Sequence, residues 1–164
     1  MNAPKRLKHN LELTIIKDGN NIIAGGQLSC CDQHDFEVSY QGALKKTLFG
    51  NQYLQTDDNG LILNARCMIC GREVIVFNSL TDGYDRCIDP TEHAVSNTQL
   101  VPYGCPRCSN KGFNINLEYE CLSKEEIDEE GLEDYENSFT WVNVSLKCTD
   151  CGKEINKIID FETA

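Results

Sequence analysis

The sequence is poor in what most enzymes and nucleic-acid binders are built from. Its three histidines, His9, His34 and His93, are scattered, and it has neither a G-x-S-x-G nucleophile elbow nor a glycine-rich phosphate loop. Lys and Arg number 15 against 26 Asp and Glu, a net charge of -11, and no basic stripe extends beyond Pro4–His9. Such a chain repels phosphate backbones before specific contacts form, which disfavours nucleic-acid binding. No apolar run approaches the length of a membrane-spanning helix. The basic start is not followed by an apolar stretch of secretory length, so no signal peptide is expected. Hydrophobic residues at 40% are too many for a disordered chain of this charge, so a folded protein with a modest core is expected.

Against these absences stand ten cysteines. In the cytoplasmic, reducing setting expected here, a cysteine pattern reads as metal binding or catalysis before disulfides. Three CxxC pairs occur, Cys67–Cys70, Cys105–Cys108 and Cys148–Cys151, and the vicinal Cys30-Cys31 lies upstream of the first. The surroundings repeat. Phe36 follows Cys31 by five residues, as Phe113 follows Cys108, and each begins an alternating, strand-like stretch. Downstream, Leu63-Asn-Ala-Arg-Cys67-Met-Ile-Cys70-Gly71-Arg-Glu matches Val144-Ser-Leu-Lys-Cys148-Thr-Asp-Cys151-Gly152-Lys-Glu. The two halves read as diverged copies of one unit.

Two four-ligand sets follow. Cys105, Cys108, Cys148 and Cys151 form the regular one. The register puts Leu28 where Cys105 has its counterpart, so Cys30 is the nearest replacement and the other set is Cys30, Cys31, Cys67 and Cys70. Adjacent cysteines in an extended chain point to opposite faces, so a local turn is needed. His34, at CxxH spacing from Cys31, is the alternative to Cys30. Two turns of this kind complete a tetrahedron around Zn²⁺, with Gly71 and Gly152 placed where a positive φ costs glycine little. Paired CxxC, an aromatic after the first knuckle and Gly after the second resemble the zinc-ribbon, rubredoxin-like family, closely over 105–161 and more loosely over 28–78. That resemblance implies a mainly β fold with a short helix, made of two tandem zinc-ribbon-like antiparallel units held by metal rather than by a large core.

Two bound Zn²⁺ are the expectation. A thioredoxin-like dithiol needs a βαβ setting that these pairs lack. Mononuclear iron, the other alternative, is expected to use two CxxCG turns per centre, and each set here has one. Four protein thiolates leave no position for water, so both sites read as structural rather than catalytic. Cys87 and Cys121 remain and read as small core residues.

The expected organisation is an N-terminal unit at 1–88 with extra strands, a linker at 89–104, and a C-terminal unit at 105–164. A hairpin is expected over Leu11–Ala24 with its turn at Asp18–Asn21, and strands at Phe36–Tyr40, before Cys67, and at Glu73–Phe77. Residues 41–57 read as a loop or a short helix. Asp82-Gly83-Tyr84-Asp85 reads as an ordinary turn. The acidic insertion at 118–136 carries ten Asp and Glu against one Lys, and reads either as a solvated stretch that keeps the protein soluble or as a docking surface for a basic partner. Within it Ser123-x-x-Glu126 matches a capping box and Gly131 a helix stop.

These features favour a non-enzymatic protein-interaction module. Its acidic surface would capture a basic protein through Glu125, Glu126, Asp128, Glu129, Glu130, Glu133, Asp134, Tyr135 and Glu136, with Tyr119, Leu132, Phe139 and Trp141 as further anchors. Trp141 has a second reading, as a core residue. By analogy of size and charge, the partner class includes toxins neutralised by immunity proteins. A transcription- or nucleic-acid-associated zinc-ribbon factor is the alternative, and an enzyme the least supported class. No membrane contact is expected.

Overall fold

Strict alternation along the chain sets the architecture. In Gly112–Cys121, Phe113, Ile115, Leu117 and Tyr119 are buried while Asn116 and Glu118 face solvent, the two-residue period of a half-buried strand. The computed structural model describes residues 3–17, 22–82, 99–131 and 138–163. Within them lie β1 (Thr14–Lys17), β2 (Ile22–Gln27), β3 (Phe36–Gln41), β4 (Ala43–Lys46), β5 (Gln52–Gln55), β6 (Ile62–Cys67) and β7 (Glu73–Asn78). They continue with β8 (Val101–Pro102), β9 (Gly112–Cys121), α1 (Lys124–Glu129), β10 (Phe139–Cys148) and β11 (Glu154–Glu162). The protein is mainly β with one short helix, and every strand pairing is antiparallel.

Nine strands form one sheet, and β4–β5 stands apart as a hairpin. The repeat seen in the sequence is repeated in the register. Phe36 lies opposite Cys67, Glu37 opposite Arg66, and Arg66 opposite Glu73. Phe113 lies opposite Cys148, Asn114 opposite Lys147, and Lys147 opposite Glu154. Thus β3–β6–β7 and β9–β10–β11 are the same three-stranded unit twice. The units meet where Phe36 of β3 pairs with Phe113 of β9. Beyond that point β9 continues alongside β2, with Ala24 opposite Tyr119, so the two halves share one sheet and one core cluster.

The hairpin read over Leu11–Ala24 is β1–β2, with its turn outside the described residues. Residues 41–57 are neither loop nor helix: β4 and β5 pair with Leu44 opposite Leu54, which turns both toward the core, and Gly50 closes the tip at φ +81°. Val101–Pro102, placed in the linker by sequence, pair with β3 as β8. The buried Tyr103 that follows donates its hydroxyl to Gln52 at 2.6 Å. Glu118 to Cys121, read as the start of the acidic insertion, finish β9, because their alternation puts Tyr119 in the core.

Arg6 and Asp82 were not paired by the sequence reading. The Asp82 carboxylate, its side chain 1% exposed, binds the Arg6 guanidinium and accepts the Asn78 N–H at 2.7 Å. Arg6 also donates to the Ile75 and Val76 carbonyls on β7, at 2.8 and 2.9 Å. Asp82 therefore closes the end of β7, while 83–85 of the turn read from sequence lie outside the described residues. Burial pushes its carboxyl up, opposed by Arg6 and the Asn78 N–H. Removing Arg6 strands that group and two strand carbonyls. Arg6→Ala is expected to cost about 2 kcal/mol in urea unfolding, less than for a fully buried pair because Arg6 is partly exposed. Adding Asp82→Asn should recover part of the loss, whereas no recovery would mean that Arg6 acts through packing alone.

Candidate metal centres

The regular site is built on β9, β10 and the turns beside them. Cys105 and Cys108 lie in the turn before β9, where Ser109 N–H reaches the Cys105 carbonyl at 2.9 Å and Cys105 N–H the Asn110 carbonyl at 2.8 Å. Cys148 ends β10, and its N–H bonds the Lys153 carbonyl at 2.9 Å, folding the chain so that Cys151 returns toward it. Gly152 takes φ +68° in that fold, a conformation costly for any residue with a Cβ. The sulfurs of Cys105 and Cys151 stand 3.6 Å apart and those of Cys108 and Cys148 3.5 Å. All four lie within 4.8 Å of one another. Sulfurs about 2.3 Å from a tetrahedral Zn²⁺ are about 3.8 Å apart, so this spacing is that of ligands around one ion.

The other site repeats the plan with one departure. Cys67 ends β6, its N–H bonds the Arg72 carbonyl at 2.9 Å, and Gly71 takes φ +71°, matching Cys148, Lys153 and Gly152. The opposing pair is Cys30-Cys31. A tight turn, in which Cys30 and Gln33 exchange backbone bonds at 2.9 and 3.0 Å, brings the two adjacent thiols to one side. It holds Cys31 at φ +55° and Asp32 at φ +56°. The Cys30 sulfur then lies 3.8 Å from Cys31 and 3.6 Å from Cys70, again within a four-sulfur group spanning no more than 4.8 Å. His34 stands outside it, its Nδ1 on the Leu28 carbonyl at 2.9 Å. Leu28, the counterpart of Cys105, is fully buried in the core.

Each site is braced within its own half, and a side-chain bond crosses between the halves. Met68 N–H bonds the Asp35 carbonyl at 3.2 Å and Thr149 N–H the Gly112 carbonyl at 3.1 Å, so each second knuckle is tied to the residue before the paired phenylalanines. Asp35 Oδ1 also accepts from the Thr149 hydroxyl at 3.3 Å across the halves. Backbone N–H groups face the sulfurs. That of Arg72 holds the Cys70 thiol down at about 7. Burial opposes ionisation of Cys148, but the N–H groups of Cys151 and Asp150, together with the Cys108 and Cys151 thiols, outweigh it and bring that thiol to about 6. Burial and neighbouring thiols push Cys30 up to about 12. Crowded thiols resist ionising together, and a dication at their centre removes that resistance.

These two four-cysteine groups could hold metal ions, with zinc a plausible occupant. Of the acidic residues named from sequence, Glu125, Glu126, Asp128, Glu129 and Glu130 are exposed on or beside α1. Ser123 caps the helix, accepting from Glu126 N–H at 3.3 Å while Glu126 accepts from Ser123 N–H at 2.7 Å, which holds the Glu126 carboxyl below its usual value. Glu133, Asp134, Tyr135 and Glu136, with Leu132, fall outside the described residues, as does Cys87. Tyr119 and Phe139 are not surface anchors: their rings pack 4.8 Å apart in the core, at 2% and 3% exposure. Trp141 lies half-buried, donating its indole N–H to Asp160. Cys121 packs partly buried against the core.

The sequence reading missed Leu48 and Phe49, fully exposed at the β4–β5 tip. Their signal was an apolar pair between Thr47 and Gly50. No helix among the described residues is long and apolar enough to cross a membrane. No protein family, curated protein or solved structure matches the chain.

Proposed function

We propose that this protein is a non-catalytic interaction module of zinc-ribbon type, in which two structural Zn²⁺ ions hold a fused pair of β units and an acidic surface receives a basic protein partner. The observation that carries the reading is the convergence of eight cysteines into two four-sulfur groups with nearest sulfurs 3.5 to 3.8 Å apart. Cys30, Cys31, Cys67 and Cys70 would hold one ion, and Cys105, Cys108, Cys148 and Cys151 the other. Four thiolates fill the tetrahedron, so each ion supplies folding energy rather than an open coordination position.

The partner reading is supported by charge. The stretch 118–136 carries most of the net charge of -11, and the exposed acids of α1 lie within it. Such a surface speeds encounter with a cationic protein, a nuclease-type toxin being one instance. Arg6, from the single basic stretch, is engaged by Asp82 and so is withdrawn from phosphate binding, which favours a protein over a nucleic acid.

Native mass spectrometry of protein purified from its own source at low salt tests both parts. Two zinc ions per chain and a co-purifying basic chain are expected. Reversing Glu125, Asp128, Glu129 and Glu130 to lysine should then slow association with that chain at least tenfold and flatten its salt dependence. An unchanged association rate would remove the acidic surface from the mechanism, and a chain isolated without metal would remove the structural reading of the cysteines.

A further inference from the structure

The two sites share a backbone plan but differ at one knuckle, and that difference bears on how firmly each holds its ion. The regular knuckle, Cys105 to Cys108, spends one left-handed residue, Ser109 at φ +63°. The vicinal knuckle spends two in succession, Cys31 and Asp32, neither of them glycine. Left-handed backbone costs a residue with a Cβ more than it costs glycine, and holding Cys31 beside Cys30 is what requires it here. Access differs as well. Cys31 and Cys70 are both exposed at the first site, whereas at the second only Cys108 is exposed and Cys151 is partly covered. Asn110 Nδ2 also lies 3.8 Å from the Cys148 sulfur, a side-chain donor on the second site's ligand.

We propose that the first site is an oxidant-releasable zinc site while the second is permanent. The inference rests on the zinc reading above and deepens it. The exposed Cys70 thiolate attacks a hydroperoxide such as hydrogen peroxide, giving a sulfenic acid and hydroxide. The Cys31 thiolate attacks that sulfur and expels a second hydroxide, leaving a Cys31–Cys70 disulfide. Two electrons pass from the two sulfurs to the peroxide, the two hydroxides take up two protons, and Zn²⁺ leaves to water. The new bond still ties the loop after β2 to the β6–β7 turn, so the sheet survives the loss.

The test is peroxide titration of the zinc-loaded full chain with a chromophoric chelator in solution, followed by peptide mapping and circular dichroism. One equivalent of zinc is expected at least tenfold faster than the other, with a Cys31–Cys70 disulfide and an unchanged sheet signal. Dithiothreitol and added zinc should restore two ions. Asp32→Gly, which relieves one strained residue without touching a ligand, should slow the fast phase several-fold. Release of both ions at one rate, or a fast phase that maps to Cys108 and Cys151, would overturn the inference while leaving two structural zincs in place. A chain that arrives without zinc would instead overturn the reading on which the inference rests.

Discussion

Stripping both zinc ions with a strong chelator at neutral pH is expected to unfold the protein. The first site ties the loop after β2 to the β6–β7 turn, and the second ties the loop before β9 to the β10–β11 turn. Structural zinc supplies about 10 kcal/mol or more per site, against a total stability of roughly 5–15 kcal/mol for a domain of ordinary size. Losing both exceeds what the apolar core can hold alone. Circular dichroism and zinc quantification on the same sample measure it: the sheet signal should fall in step with the second ion and return on adding zinc. Cys148→Ser should lose one ion and most of the stability. Acidification acts in the same direction, since protons compete with the ion for thiolates. A native sheet signal persisting in fully metal-free, reduced protein would contradict a structural role.

The second large effect is expected at the junction of the halves. Phe36 and Phe113 are each fully buried, face each other across β3 and β9, and each lies opposite a cysteine of one four-sulfur group, Cys67 and Cys148. Tyr103 packs on Phe113 with ring centroids 5.4 Å apart. Phe36→Ala or Phe113→Ala is expected to cost about 3–5 kcal/mol in denaturant unfolding of the zinc-loaded protein. Because directly opposed side chains share one cavity, the double variant should cost less than the sum of the two, with a coupling of about 1 kcal/mol or more. Full additivity would mean that the two rings sit in separate parts of the core. Zinc content should stay at two ions in either single variant, which separates lost packing from lost ligands.

What was legible in the sequence was what local spacing enforces. Cys-x₄-Phe and CxxCG each describe one turn and the strand beside it, and the turns at Gly71 and Gly152 follow from their residues. The need for a turn at Cys30-Cys31 was also readable, because adjacent side chains cannot otherwise converge. How the halves join was not. The pairing of β2 with β9 and of Phe36 with Phe113 depends on contacts far apart in the chain, and no local pattern encodes them. The Arg6–Asp82 pair, 76 residues apart, is of the same kind. Tyr119 misled for a different reason: an aromatic among acids looks like a surface, yet on β9 Glu118 and Glu120 occupy one face and the Tyr119 ring the other, packed on Phe139. Leu44 and Leu54 were too widely spaced around Lys45-Lys46 and Gly50 to announce a hairpin.

The interleaving of the halves has a consequence for chain continuity. β2 lies on β9 and β8 on β3, so each piece of a chain cut anywhere in 83–98 would keep one complete set of four cysteines yet leave strands that need the other piece. The two fragments are therefore complementary parts of a split protein. They should stay together after nicking and find each other when supplied as separate polypeptides, with the shared strands setting the fit.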